Sequence, residues 1–500
     1  MKTSERKRQI EFGDFQTPDA LAFEICERLV ALDIRPDIVV EPTCGIGAFI
    51  VAATRAFPKA RIIQGFEVNG DYLDTLRRRL DNVPNSSRVY LEQADFFRTD
   101  WREKLDPLAG SVLVLGNFPW VTNSGQGVIG GSNLPKKTNF LRHNGFDAIS
   151  GKANFDISEW MLLEVLRWFK GRTGDVAMLV KTAVARKVLA HAERQGVAIQ
   201  DALLIGIDAK QHFDASVEAC LLVMRLSGNK ANSTHDYTAF EGIDDVRGHR
   251  VGHRMGLTVG DLDTFEVCSF LVGQSPQKWR SGIKHDAAAV MEFTRTDHGL
   301  VNGLGEVIEL EPTYLFPLLK GSDVGSGKAW RRKYTLVTQR YVGESTNPIQ
   351  RIAPLTWAYL SQHANTLDDR GSTIYAKNPR FSIFGVGDYT FRPWRIAICS
   401  LYKVLKFRLV GPMDGRPVMF DDTVYYLSFD TEVEARETLD KLNSKPALGL
   451  LSSLIFWDEK RPIKTGILNV LDWTRLGLMR PNSSNRQLGL NITLRSSGRI

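Results

Sequence analysis

Apolar positions along the first 230 residues follow two periods in turn. TPDALAFEICERLVAL carries them at helical spacing, with Thr17 placed to cap the helix and Pro18 in its first turn. DIVVE, RIIQGFEV, RVYLEQADF and SVLVLGN are short apolar runs that predict strands, and the helical patterns GAFIVAATRAF and DYLDTLRRRLD separate the first three. The alternation resumes with NFDISEWMLLEVLRWFK as a helix, GDVAMLVKT as a strand, AVARKVLAHAERQ as a helix, and ALLIGID and EACLLVMRL as strands. Strands alternating with helices predict an α/β, Rossmann-like domain: a mostly parallel sheet with helices on both faces.

The pattern changes at SGNKANSTHDY, which is polar and rich in turn formers. It sets an expected domain boundary, with residues 1–228 in the first domain and 229–500 in the second. Beyond it, β-like runs such as YTLVTQRYV, RFSIFGVG, WRIAICSLY and VYYLSF predominate and helical patterns are few. An α+β domain with many loops is expected there.

Composition narrows the class without fixing it. A charged fraction of 24% and an apolar fraction of 43% are those of an ordinary globular chain, not a disordered one. No apolar run approaches the roughly 20 residues that cross a bilayer, and MKTSERKRQIEFGDF has no hydrophobic secretory segment, so no membrane association and a cytoplasmic location are expected. Cys26, Cys44, Cys220, Cys268 and Cys399 are scattered, odd in number and without CxxC spacing. They predict neither a disulfide framework nor a metal site. The net charge of +7 divides into about +2 before residue 230 and about +5 after it, which permits a polyanionic partner without requiring one.

Candidate chemistry gathers at the ends of consecutive predicted strands. VVEPTCGIGAF places Glu41 at the first strand end, then Gly45 and Gly47, where a missing Cβ lets backbone approach a ligand at a helix N-terminus. It is neither the dinucleotide GxGxxG nor a phosphate-gripping loop with GK[ST]. GFEVN puts Glu67 at the next end, where a carboxylate can accept both hydroxyls of a ribose. QADFF offers Asp95 as an acceptor for an exocyclic amine and Phe96 as a stacking surface. Asn117, in NFPW, ends the fourth strand. Singly each could be a cap or a solvated residue, but the carboxyl ends of strands are where open α/β sheets bind ligands.

In their order, FQTP, EPTCGIGAF, FEVN, ADFF and NFPW, followed by a long C-terminal extension, resemble the S-adenosylmethionine-dependent adenine-N6 DNA methyltransferases of restriction-modification systems. The likeness is to the class that places cofactor motifs first and a target-recognition domain last. NFPW departs from the commonest N-P-P-Y in Phe118 and Trp120, at positions where the family accepts variation and another aromatic. The resemblance implies S-adenosyl-L-methionine as cofactor, with Phe15, Thr17 and Pro18 beside its methionine moiety, Glu41 and the Gly45–Gly47 turn around its amino-acid portion, Glu67 on the ribose, and Asp95 with Phe96 on the adenine. Asn117 belongs to both the cofactor and the catalytic set. Its amide oxygen and the Pro119 carbonyl would grip the target amine while Trp120 stacks on the flipped base.

The target side is further expected to involve Phe118 and a second aromatic wall, Trp160 or alternatively Phe155. Between Trp120 and Phe155 runs a long Gly-, Asn- and Ser-rich segment, read as a flap over DNA with Lys136, Lys137 and Arg142 near phosphates. In the second domain, QKWRSGIKHD, WRRKYTLVTQRY and NPRFSIFGVGDYTFRPWRI mix cations with aromatics, as DNA-recognition surfaces do. The implied partners are double-stranded DNA and a separate cognate restriction endonuclease, for a chain acting as a monomer or weak dimer. Rival readings are an RNA adenine methyltransferase, an N4-cytosine DNA methyltransferase and, in a different class, a non-catalytic DNA-binding subunit on the same fold. The intact Glu67, Asp95, Asn117 and Pro119 speak against the last.

Overall fold

The computed structural model describes residues 16–84, 86–120, 156–228 and 236–478. Phe15, Lys136, Lys137, Arg142 and Phe155 of the expected site lie outside the described residues. The chain divides into two compact units, Met1–Thr258 and Val259–Ile500.

In the first unit, α1 (Asp19–Ala31) leads into β1 (Ile38–Glu41), and α2 (Ala48–Ala56) crosses over to β2 (Ile62–Glu67). From there α3 (Gly70–Leu80) connects to β3 (Val89–Gln93), and α4 (Trp101–Leu105) to β4 (Val112–Asn117). Farther along come α5 (Ile157–Trp168), β5 (Gly174–Lys181) and α6 (Thr182–Gln195). The strands pair in parallel in the order β3-β2-β1-β4-β5. Val39, Ile63, Leu113 and Leu115 share one apolar cluster with Leu21 and Ile25 of α1, Phe49 and Ile50 of α2, and Leu73 and Leu76 of α3. Val40, Val112 and Val114 are buried as well. Burial at successive strand positions explains why these strands read as unbroken apolar runs rather than alternating ones.

The order places β2 on one side of β1 and β4 on the other. Connections leave β1 and β4 in opposite directions at this reversal, so a crevice opens above their carboxyl ends. Asn69 caps α3 by accepting from the Asp71 N–H at 3.0 Å, which fixes where the chain turns away from that crevice.

Past β5 the sheet becomes mixed. β7 (Ala219–Leu226) runs antiparallel between β5 and β6 (Ile199–Ile207). Residues 208–218, which hold the short α7 (Ala209–Phe213), are too few for the crossover that a parallel neighbour needs. β8 (Tyr237–Phe240) then pairs in parallel with β6, and β9 (His249–Arg254) and β10 (Leu257–Val259) complete ten strands. These additions carry the first unit to Thr258, past the boundary expected at residue 228.

The second unit contains a four-stranded antiparallel sheet, centred on Trp394–Cys399 and Val424–Phe429, and a six-stranded sheet. It also holds more helix than its sequence pattern predicts. Glu432–Leu442 is capped by Thr431 but buries only Ala435, Thr438 and Leu442, too thin an apolar stripe to stand out. Lys445–Leu454 starts with a proline in its first turn and buries Ala447, Leu450, Leu451 and Leu454.

Leu113 is fully buried in the cluster between the sheet and α1–α3. Leu113→Ala is expected to destabilise the first unit by about 2–5 kcal/mol, because a rigid parallel sheet collapses poorly around a cavity. Urea unfolding should show the loss as a lower transition midpoint, and an unchanged midpoint would place Leu113 outside the core.

Candidate active site at the carboxyl edge of the sheet

After Glu41 the chain folds into a turn that only glycine accommodates comfortably. Gly45 and Gly47 have φ of +52° and +85°, the left-handed region that β-carbons disfavour. A Cβ on Gly47 would lie 2.1 Å from Leu76 Cδ1 on α3, so close packing adds a second reason for glycine there. The Cys44 N–H donates to the Phe66 carbonyl at 2.8 Å, which fastens this turn to the end of β2. The Gly45 N–H donates to Glu67 Oε2 at 2.9 Å, and the Asn69 N–H to Glu67 Oε1 at 2.9 Å. Glu67 is thereby oriented through both of its oxygens. Gln16 covers the turn: its Oε1 accepts the Ile46 N–H at 3.2 Å.

Glu41 is only 3% exposed, and its Oε2 is buried with no hydrogen-bond partner. Burial pushes its carboxyl well above the ordinary value of 4.5, repulsion from Glu67 adds to the shift, and the Ile50 backbone N–H offsets part of it. Beside Glu41, at the end of β4, the Asn117 Nδ2 donates to Thr17 Oγ1 at 3.3 Å, and Thr43 Oγ1 donates to the Asn117 carbonyl at 3.4 Å. One set of contacts therefore brings together Thr17 ahead of α1, the turn after β1, and Asn117.

At the third strand end, Asp95 Oδ1 accepts the Phe97 N–H at 2.9 Å, and its Oδ2 faces Arg98 Nε at 3.3 Å. Phe96 is the hub of an aromatic group, with Trp101 at 5.1 Å, Phe118 at 5.5 Å, Trp168 at 5.8 Å and Trp160 at 6.2 Å between ring centroids. Two expectations for the target side change here. Phe118 is 0% exposed and packs edge-on against Phe96, so in this structure it backs the Asp95–Phe96 corner. Trp160 likewise stands against Phe96 and Phe97, the latter at 5.2 Å, on the same corner.

Trp120 occupies a different place. It is 6% exposed and belongs to the apolar core cluster, with its ring edge-to-face on Phe213 of α7 at 5.0 Å. Among the described residues, Phe213 is the aromatic that faces Trp120, while Trp160 stands at the Phe96 corner. Phe213 lies between the expected strands ALLIGID and EACLLVMRL, in a stretch to which the sequence pattern assigns no element, and the structure forms the short α7 there. Gln16, beside Thr17, was overlooked because only its neighbours carried recognisable chemistry. A cleft lined by Asp106, Leu108, Ser111 and Arg172 lies at the opposite, amino-terminal edge of β4 and β5 and gathers none of these residues.

The chain is 46% identical over 468 residues to the Type II methyltransferase M.NspV of Nostoc sp., an alignment covering 93% of this chain and 97% of that protein. The Type II methyltransferase M.XamI of Xanthomonas campestris pv. amaranthicola is 38% identical over 87 residues, 17% of this chain and 15% of that protein. Among solved structures, the Type IIL restriction-modification enzyme MmeI, determined in complex with DNA, matches with a TM-score of 0.53 at 12% identity, covering 97% of this chain and 68% of that one. At that identity the likeness is one of fold. No family model matches the chain.

The Glu41 shift has a signed consequence. The unfolded chain releases this proton near pH 4.5 while the folded chain retains it, so stability falls as pH rises above that value until the folded group ionises. Glu41→Gln removes the effect. Its melting temperature relative to wild type should therefore rise between pH 4.5 and neutrality, and a difference independent of pH would mean that Glu41 titrates normally.

Proposed function

The chain belongs to the Type II methyltransferases, and from that membership we propose that it methylates the N6 amine of adenine in double-stranded DNA, using S-adenosyl-L-methionine. The observation that carries this reading is the convergence of Asn117, Thr17, the Gly45–Gly47 turn and Glu67 at one edge of the sheet, linked by direct hydrogen bonds. The motif order supports adenine as the target, and the basic, aromatic-rich second unit supports DNA as the substrate and target recognition as that unit's task. The biological role is then protective modification, alongside a cognate endonuclease.

The residues present suit such a cofactor. The buried Glu41 Oε2 lacks a donor, and two carboxyl groups at one crevice favour a positively charged ligand. When bound, the cofactor supplies a methyl group on a positively charged sulfur. Glu67, held at this strand end by the Gly45 and Asn69 N–H groups, accepts ribose hydroxyls. Phe96, backed by Phe118, lines the adenine of the cofactor, and Asp95 accepts from its amine. Glu41 and the turn hold the amino-acid portion, flanked by Thr17 and Pro18.

On the target side the task is to make a poor nucleophile attack. The N6 lone pair is delocalised into the adenine ring. The Asn117 amide oxygen and the Pro119 carbonyl accept the two amine hydrogens, draw the nitrogen toward tetrahedral geometry and stabilise the positive charge it acquires. No covalent intermediate is needed. Taking the base from the duplex costs a few kcal/mol, part of which stacking recovers. Trp120 and Phe213, edge-to-face in the structure, are the aromatic pair that would part to receive it.

Nucleoside mass spectrometry of DNA from cells expressing the chain should find N6-methyladenine. N4-methylcytosine would change the target base, and methylation confined to RNA would change the substrate. Asn117→Ala should slow transfer by about 100-fold or more while leaving calorimetric affinity for the unreactive analogue sinefungin nearly unchanged. Glu67→Ala should instead weaken sinefungin binding by about 10-fold or more, through a lost charge-assisted hydrogen bond. Unchanged affinity would reject its ribose role.

A further inference from the structure

Lys181, the last residue of β5, belongs to none of the motifs above. Its Nζ lies 2.6 Å from Asp156 Oδ2 and donates to the Trp120 carbonyl at 3.0 Å. Two residues back on the same strand, the Leu179 carbonyl accepts the Trp120 indole N–H at 3.5 Å. The last residue of Asn117–Trp120 is thus fastened to the end of β5 through its main chain and its side chain. Asp156 is fixed in turn, capping α5 by accepting from the Ser158 N–H at 3.1 Å and the Ser158 hydroxyl at 2.5 Å.

The pair sits where ions are costly. Lys181 and Asp156 side chains are 21% and 7% exposed, and an ion pair removed from water gains little unless further hydrogen bonds satisfy both partners. The Trp120 carbonyl supplies one for the ammonium, and Ser158 supplies two for the carboxylate. A brace between α5 and β5 would need only the carboxylate. Recruiting the Trp120 carbonyl adds control of the peptide group immediately after the one that carries the Pro119 carbonyl.

Resting on the functional reading above, we propose that Lys181 is a positioning residue for methyl transfer: locked by Asp156, its ammonium fixes Trp120 and thereby the Pro119 carbonyl that accepts from the target amine. Misplacing a group at a reacting centre by about 1 Å can cost about 100-fold in rate. A device that sets this carbonyl should therefore act on the rate of transfer and not on cofactor affinity.

The test combines single-turnover methyl transfer to DNA with calorimetric binding of sinefungin. Lys181→Met should slow transfer by about 10- to 100-fold with sinefungin affinity unchanged, and Lys181→Arg should restore part of the rate. Asp156→Asn should give a similar loss, and the double variant should be no slower than either single one, as for residues that act as a unit. A wild-type rate for Lys181→Met overturns the proposal. So do parallel losses of rate and sinefungin affinity with additive effects in the double variant, the signature of a merely structural brace. Should Lys181→Met fail to fold, judged by thermal unfolding, Asp156→Asn decides alone, and a wild-type rate overturns the proposal. Wild-type transfer in the same assay separates the two levels: its absence removes the functional reading itself, whereas its presence with undiminished variants removes only the role of Lys181.

Discussion

The hydrogen bond from the Gly45 N–H to Glu67 joins the turn after β1 to the end of β2, and the geometry of the site follows from it. Gly45 takes a left-handed conformation, which brings the backbone of the turn forward, with Gln16 packed over it. It holds one oxygen of Glu67 while Asn69 holds the other, so a carboxylate at a strand end acquires a fixed direction. Thr43, in the same turn, reaches the Asn117 carbonyl, and the constraint extends across β1 to β4. Three strand ends thus become one rigid edge at the point where the strand order reverses.

That edge is electrostatically unbalanced. Glu41 lies buried beside Glu67 with an oxygen that no donor satisfies, an arrangement that lowers stability once ionised. Such a burden is understandable where a cationic ligand repays it, since positive charge entering the crevice favours the ionised form of both acids. The aromatic group around Phe96 then marks where a planar ring belongs, and the separate Trp120–Phe213 contact marks where a second one belongs. Two aromatic corners, one at Phe96 and one at Trp120, fit the proposed reaction between two purine-bearing molecules.

Much of the edge was legible in the sequence because each feature follows an apolar run at a strand end: Glu41, the two glycines, Glu67, Asp95 and Asn117 are all found where the strands stop. The aromatic assignments were less legible. Which side of the sheet Phe118 and Trp120 take depends on how the chain leaves β4, and their neighbours come from distant segments. Lys181 approaches Trp120 because β5 pairs beside β4, and Phe213 does so because the short connection from β6 carries it there before β7 inserts antiparallel beside β5. The first compact unit runs past the expected limit at residue 228 for a related reason. SGNKANSTHDY has the composition of a linker, but the strand after it pairs with β6. Beyond that, thin apolar stripes concealed helices in the second unit.

Everything proposed for catalysis requires that the cofactor lie along the edge that Glu67 and the glycine turn define. Diffraction from crystals of the chain grown with sinefungin tests this most directly. The predicted result is ribose hydroxyls on Glu67, the amino-acid portion over Gly45–Gly47, the adenine against Phe96, and the Asn117 side chain facing the amine that replaces the reactive methyl. Sinefungin bound at another face, or with its ribose away from Glu67, would contradict it.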